Sequence, residues 1–233
     1  MSMSHARGTA GQAWLITQRC YQRQFLLSDE IDRRRWLYWL YQAKRRYGLS
    51  VLNYVVTSNH VHLLVQGASE SITDDSMQMI NACTAVEFNR RQARRGTFWA
   101  AHYQRTAVQT NAHLARCMTY IDLNMVRAGE VDHPRQWRCG GYYESQRPKR
   151  RGGRIDQVSL RRLLQFSSDK ALQAARNQWV DSKLNHKDFC RVPYWSDSYA
   201  VGDLGFALKM KRALAYAHPG GRAQREQGCF AVR

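Results

Sequence analysis

The clearest hydrophobic pattern in the chain covers two neighbouring segments. Residues 50–57 form a β-rich apolar run, and polar and apolar positions alternate again over residues 60–66. Thr57-Ser58-Asn59 between them is turn-forming, so the pattern predicts a β-hairpin. Strand side chains alternate between two faces, which places His60 and His62 on the same face. The apolar residues of this second strand point into a core: Val61, Leu63 and Val65.

The same kind of pattern predicts two more strands and three helices. A helix is expected to open with Ser28 as its N-cap, run to Tyr47 and end at Gly48. The further strands are 13–17 and 103–109, and the further helices are 76–93, after a loop over 68–75, and 111–128. This order indicates an α+β fold, a ferredoxin-like antiparallel sheet with helices on one face plus an added helix.

Changes in composition divide the rest of the chain. We expect a flexible N-terminus, a main domain, a basic linker, a basic helical C-terminal extension and a disordered tail. Their bounds are 1–12, 13–146, 147–154, 155–219 and 220–233, with helices of the extension near 158–166, 169–184 and 203–217.

Charge narrows the class of partner. The 36 Lys and Arg residues outnumber 18 Asp and Glu residues, for a net charge of +18, which favours a polyanion. An anionic membrane would require an amphipathic anchor or a lipidation signal, and neither is found.

We expect a cytoplasmic protein, because residues 1–12 contain no secretory signal and no apolar run approaches a membrane span. The six cysteines contain no C-x-x-C pair, so we expect reduced thiols.

The histidine pair raises the question of a metal. Two imidazoles on one strand face, His60 and His62, supply half of a metal site. The alternative is two solvated histidines on an amphipathic strand. The sequence of this hairpin alone does not decide between them.

The helix predicted over 111–128 presents a second polar cluster. At about 100° per residue, one arc is apolar and should be buried: Leu114, Cys117, Met118, Ile121, Met125 and Ala128. The adjacent arc holds polar residues: His113, Arg116, Tyr120, Asn124 and Arg127. An ordinary solvated helix face would look the same. Together with two histidines in a basic protein, this arc indicates a phosphodiester site.

The chemistry gives each residue a role. A tyrosine hydroxyl, with a pKa of about 10, needs a nearby metal or base to attack a phosphate at neutral pH. Tyr120 is the candidate nucleophile, His60 and His62 would hold a divalent cation, and Asn124 could be a third ligand. Arginines are expected to contact DNA phosphates, although for each one alone generic surface charge is equally consistent. The candidate DNA contacts are seven arginines and one lysine: Arg19, Arg23, Arg116, Arg127, Lys149, Arg150, Arg151 and Arg154.

Two motifs resemble a known family. His60-Val61-His62 resembles the histidine–hydrophobic–histidine (HUH) motif of single-tyrosine transposases. The segment Tyr120 to Gly129 resembles the Tyr-Ile-x-x-Asn-Pro-Val-Arg-Ala-Gly pattern of REP-associated tyrosine transposase-like proteins, whose leading tyrosine is the nucleophile. The resemblance covers about residues 13–146 and extends faintly to residues 195–206. The chain departs from the family at Met125, where proline is common, and after Trp99, where acidic residues are expected.

The resemblance implies a transposase that cuts and rejoins single-stranded DNA near hairpins of repetitive palindromes. Tyr120 would form a covalent 5′-phosphotyrosine, with Mg²⁺ or Mn²⁺ as cofactor and no nucleotide. A nucleoid-associated bacterial protein is implied. Two alternatives stay open: a nonenzymatic DNA- or RNA-binding ferredoxin-like protein, and a domesticated transposase that cuts repeats without moving itself. The sequence leaves open whether the protein is a monomer or a homodimer, and whether Tyr120 acts in cis or in trans.

Overall fold

The structure, a computed structural model, describes residues 11–67, 70–147, 152–214, 222–226 and 229–232. None of the helices within these ranges is long and apolar enough to cross a membrane. The cysteines at all six positions are free thiols.

The first half of the chain forms the expected strand–helix–strand–strand–helix–strand series. Its elements are β1 (Ala13–Arg19), α1 (Glu30–Tyr47), β2 (Ser50–Val56), β3 (His60–Gln66), α2 (Glu70–Arg91), β4 (Gln104–Val108) and α3 (Ala112–Asp122). The four strands lie in the order β2-β3-β1-β4, and every neighbouring pair is antiparallel. The α+β fold with a ferredoxin-like sheet is therefore confirmed.

The C-terminal extension adds strands as well as helices. Its elements, with those that link it to α3, are α4 (Asn124–Arg127), α5 (Gly141–Ser145), α6 (Gln157–Leu164), α7 (Asp169–Asn185), α8 (Tyr194–Asp197), β5 (Ala200–Gly202), α9 (Leu204–Leu214), β6 (Ala223–Glu226) and β7 (Cys229–Val232). Strand β5 pairs in parallel with β4, and β7 and β6 follow it to complete a mixed seven-stranded sheet.

The extension contains the expected helices and also strand β5, and the described residues of the segment expected to be a disordered tail include the strands β6 and β7. The β5 strand has three residues, and β6 and β7 have four each, too few to give a period-two signal. Strand β5 forms because the edge of β4 supplies hydrogen-bond partners, as when the Gln109 amide donates to the Val201 carbonyl. Strand β7 then pairs with β5, as when the Tyr199 amide donates to the Val232 carbonyl, and β6 pairs with β7. The partners of β5 lie far away in the sequence, so a local pattern does not reveal them.

Both faces of the sheet are covered. Trp14 and Arg105 lie on one face, where the Arg105 guanidinium stacks on Trp14 and faces Asp74 of α2. Helix α1 packs against α2 on this side. The opposite face carries the histidines, and here the Asn53 amide of β2 donates to the Met118 carbonyl of α3. The predicted inward residues of β3 are fully buried, and so is Leu64 on the opposite face.

Two helix starts differ from expectation. Asp29, rather than Ser28, is the N-cap of α1, without a side-chain cap hydrogen bond. The helix instead carries Glu30 and Asp32 in its first turn, where negative charge offsets the helix dipole. Helix α2 begins at Glu70 instead of residue 76. The sequence pattern missed its first turns because Thr73, a polar residue, occupies a buried position and so conceals the apolar period. Gly48 ends α1 in the left-handed conformation, as predicted.

Candidate active site

The two strand histidines stand side by side at the end of the sheet. Their ring centroids are 4.9 Å apart. Strand β1 lies alongside, with Thr17 opposite His62 and Arg19 opposite His60. His62 is 2% exposed and His60 is half-buried, so neither is a solvated histidine on an open strand.

Hydrogen bonds fix which nitrogen of His60 carries the proton. Its Nδ1 lies 2.7 Å from Asn59 Oδ1, which can only accept. The Thr57 hydroxyl lies 3.0 Å from the same nitrogen but donates its hydrogen to the His60 carbonyl, so it also accepts here. With two acceptors around it, Nδ1 is protonated, and the lone pair is on Nε2, the atom that would bind a cation.

The environment keeps both rings neutral. Burial first, and then the positive charges of Arg19, Arg127 and Arg191, lower the pKa of His60 to about 3. Burial also lowers the pKa of His62 well below its usual value. Its Nδ1 lies 2.9 Å from the Thr17 hydroxyl. Neutral imidazole is the form that binds metal ions.

Tyr120 of α3 meets the histidines from above the sheet. Its ring centroid lies 5.8 Å from that of His62, and the Trp195 ring lies 6.2 Å away on the other side. The side chain is 9% exposed. No side chain in the described ranges hydrogen-bonds to its hydroxyl. Burial is the largest influence on the pKa of Tyr120 and raises it, while Arg127 and Arg191 oppose the shift.

Arg127 holds the tyrosine in place. Its guanidinium lies 4.4 Å from the centroid of the Tyr120 ring, and it donates to the carbonyls of Tyr120 and Phe189. Stacking and hydrogen bonding together fix both groups. The half-buried side chain thus links α4, α3 and the segment before α8.

Two site residues come from the C-terminal extension and were not predicted. Trp195 of α8 contacts the Tyr120 ring, and the charge of Arg191 lowers the pKa of both His60 and Tyr120. With Arg19 and Arg127, Arg191 forms a group of three arginines around the phenol and the imidazoles. Neither residue belongs to a local motif, and only the return of the chain over the sheet brings them here.

Arg116 and Tyr120 lie one turn apart on α3, as the helical arc predicted, whereas Asn124 lies beyond the end of that helix. The expected helix over 111–128 is interrupted at Leu123, with ψ near 5°, so that Asn124 begins the separate helix α4. Asn124 is buried, and the described contacts include no ring or charge partner for its amide. Arg116 acts on the pKa values of Tyr194 and Cys229, whereas the arginines that act on Tyr120 are Arg127, Arg191 and Arg19. Ala128, expected on the buried arc, is exposed.

The remaining predicted DNA contacts divide into three groups. Arg19 lies beside the histidines, and Arg23 lies in the exposed loop that follows β1. Lys149, Arg150 and Arg151 lie outside the described residues. Arg154 is half-buried and structural, because it donates to the Leu37 carbonyl and pairs with Glu144 at 3.0 Å. Arg154 is therefore held by the fold, and its contact with DNA stays a prediction.

A buried ion pair attaches the nucleophile helix to the extension. Asp122, two residues after Tyr120, accepts from Arg176 of α7 at 2.6 and 2.8 Å. Asn53 of β2 donates to Asp122 at 2.9 Å and accepts from Arg176 at 2.8 Å. Arg176 is 1% exposed. Sequence reasoning missed this network, because its three members are far apart in the chain.

The residues present fit a divalent cation only in part. His60 and His62 offer two neutral imidazoles with oriented second nitrogens. Within the described ranges, no group of three or more His, Cys, Asp and Glu side chains could complete a metal site. An imidazole-based donor set suits Mn²⁺ better than Mg²⁺, which prefers oxygen ligands.

Comparisons with known proteins point to one class. Residues 12–124 match the family model described as "Transposase IS200 like". A solved structure described as a REP-associated tyrosine transposase bound to a REP hairpin aligns with a TM-score of 0.52 and 17% identity, covering 64% of this chain and 87% of that one. A crystal structure of a candidate transposase from Deinococcus radiodurans R1 aligns over 51% of this chain and 95% of its own, with 19% identity and a TM-score of 0.36. No curated protein matches the sequence.

Proposed function

Because residues 12–124 match the model of the IS200-like transposases and the fold is similar to that of a REP-associated tyrosine transposase, we propose that this chain is a single-tyrosine DNA transposase. It cuts single-stranded DNA beside a hairpin and retains the 5′ end as a phosphotyrosine. The observation that carries the proposal is the position of Tyr120, whose ring lies 5.8 Å from that of His62. Three arginines around that pair provide the positive charge that a phosphodiester requires.

In the proposed reaction the Tyr120 oxygen attacks the scissile phosphorus. A new P–O bond forms to the tyrosine and the bond from phosphorus to the 3′ oxygen breaks. The phenol loses its proton and the released 3′ oxygen gains one, so charges and atoms balance. The phosphoester is retained, and rejoining therefore needs no nucleotide. Arg127 orients the phenol by stacking, and Arg19 and Arg191 attract the phosphate.

A divalent cation would be held by Nε2 of His60 and of His62, and when bound it would withdraw charge from the phosphate. The two rings are held ready by hydrogen bonds at Nδ1, from His60 to Asn59 and Thr57 and from His62 to Thr17. Asn124 stays a candidate third ligand from the sequence.

The experiment that tests this function is covalent trapping. Labelled hairpin oligonucleotides with single-stranded flanks are incubated with the protein and Mn²⁺ or Mg²⁺, and the products are separated under denaturing conditions. The expected product is a strand linked to the protein through its new 5′ end, so a label on the 3′ side of the cut becomes protein-linked and a label on the 5′ side does not. DNA binding without any adduct would support the nonenzymatic alternative.

The geometry also favours action in cis. Tyr120 contacts the histidine of its own chain, so one chain contains both halves of the site. We therefore expect that a mixture of Tyr120→Phe and His62→Ala proteins stays inactive. Recovery of cleavage in the mixture would show that the tyrosine is donated between subunits.

The hydroxyl of Thr17, beside Nδ1 of His62, should increase the affinity of the site for a metal ion. Thr17→Val keeps the shape of the side chain and removes the hydroxyl beside Nδ1. We expect Mn²⁺ to bind about 10- to 100-fold more weakly, the usual cost of losing an outer partner of a ligand. Titration calorimetry would measure this directly, and cleavage should return at high Mn²⁺.

The matched control for Thr17→Val is Thr73→Val. Thr73 is also buried, but it lies on α2, on the other side of the sheet, and its hydroxyl has no hydrogen-bond partner. Equal Mn²⁺ affinity in wild type and Thr17→Val would mean that Thr17 does not orient a ligand.

A further inference from the structure

The loop between β1 and α1 presents two aromatic side chains to solvent. Phe25 is 68% exposed and Tyr21 is 40% exposed. The loop is anchored by other residues, since Leu27 is fully buried and Leu26 packs against the core. Phe25 is therefore not needed to hold the loop, and burial of its ring on a ligand would be favourable.

Backbone hydrogen bonds hold this loop against the turn that precedes His60. The Cys20 amide donates to the Asn59 carbonyl at 2.8 Å, and the Leu27 amide donates to Ser58 at 2.9 Å. Asn59 also bonds to the His60 ring through its side-chain oxygen. The loop and the candidate active site thus share Asn59, and the aromatic side chains cannot drift far from the histidines.

The conformation of the loop is strained. Gln22 and Arg23 are both in the left-handed region, with φ of 50° and 57°. Two consecutive non-glycine residues rarely adopt it, and each costs free energy that the rest of the fold must supply. The strained pair lies between Tyr21 and Phe25, so it determines how the two rings are displayed.

Arginines lie within the loop that carries the rings and against it. Arg23 and Arg19 are close enough that Arg23 contributes to lowering the pKa of Arg19, after burial and Arg191. On the other side, the Arg94 guanidinium donates to the Gln24 side chain at 3.5 Å. Exposed aromatic rings between guanidinium groups are how proteins bind single-stranded nucleic acid, with bases stacked on rings and phosphates beside arginines.

We propose that the loop Tyr21–Phe25 is a base-stacking surface for single-stranded DNA, with Phe25 as its main contact. This inference rests on the proposed function for the identity of the ligand. Single-stranded DNA is the occupant because the patch combines apolar rings with cations. Inside a duplex every base is stacked on both sides, so only the two end pairs of a blunt duplex have a face that Phe25 could contact. The loop would hold the unpaired strand beside the phosphate that Tyr120 attacks.

The test compares Phe25→Ala and Phe25→Trp in the full chain. The probes are fluorescein-labelled oligo(dT) of about ten nucleotides, within the range of single-strand site sizes, and a blunt duplex of equal length. Binding is measured in chelator, so that no cleavage competes. We expect Phe25→Ala to bind oligo(dT) about tenfold more weakly, the effect of losing one stacked base. Phe25→Trp should restore affinity, and duplex binding should be unchanged.

The matched control is Val158→Ala, because Val158 is equally exposed and lies on α6. It should leave oligo(dT) affinity unchanged. A photo-cross-link from oligonucleotides that contain 5-iodouracil should map to Phe25 in the wild type.

Two results would overturn the proposal: Phe25→Ala with wild-type affinity for oligo(dT), or an equal loss on the duplex. The covalent adduct assay is a separate measurement. If the wild-type protein forms no adduct while Phe25→Ala weakens oligo(dT) binding, the transposase proposal fails and the stacking surface stands. If the wild-type protein forms the adduct while Phe25→Ala binds oligo(dT) normally, the stacking surface fails and the transposase proposal stands.

Discussion

Tyr120→Phe should bind hairpin DNA like the wild type and form no covalent adduct. The substitution removes one oxygen from a buried side chain and retains the ring that packs between His62 and Trp195. If that oxygen is the nucleophile, cleavage falls by about 10⁴-fold or more, as for other lost nucleophiles. Denaturing gels with 5′- and 3′-labelled strands measure cleavage, and fluorescence anisotropy measures binding.

Tyr142→Phe is the matched control for this prediction. Tyr142 is also a buried tyrosine, but its hydroxyl donates a hydrogen bond to Asn177 of α7. Its loss should cost about 1 kcal/mol of folding free energy at most and leave the adduct intact. An adduct that persisted in Tyr120→Phe would show that another group attacks the phosphate.

The sequence predicted those parts of the fold that local patterns encode. Strands β1 to β4 and helix α1 alternate or repeat with regular periods, and Gly48 marks a helix end through its own conformational freedom. The C-terminal strands were missed because they are short and because β5, to which β7 and then β6 are added, pairs with a sheet edge formed more than ninety residues earlier. Such pairing is a property of the assembled fold, as when the Tyr199 amide donates to Val232.

The candidate site divides in the same way. His60, His62 and Tyr120 were found because their motifs are short and the helix and strand periods orient them. Arg191 and Trp195 were missed because they reach the phenol only when the extension folds back over the sheet. Asn124 and Arg116 were placed with Tyr120 on one helical arc; Arg116 shares α3 with Tyr120, and the break at Leu123 separates Asn124 from both.

The ion pair between Asp122 and Arg176 should make the nucleophile helix depend on the extension. Arg176→Met removes the partner of a fully buried carboxylate that Asn53 alone cannot satisfy. Breaking a buried pair in this way costs about 3–5 kcal/mol of unfolding free energy. Urea unfolding followed by circular dichroism would measure the loss. Cleavage should also fall at temperatures where the protein is still folded, because Asp122 lies two residues from Tyr120.

Two further variants separate the ion pair from general charge effects. Arg34→Ala breaks the exposed pair between Arg34 and Glu30, which is worth only about 0.3–0.5 kcal/mol within a helix. The double variant Asp122→Leu with Arg176→Met replaces both buried charges by apolar side chains and should recover part of the lost stability, because the buried amide of Asn53 loses its partners in both residues. If Arg176→Met cost no more than Arg34→Ala, the extension would not hold α3 in place, and the position of Tyr120 would depend on the sheet and on Arg127 alone.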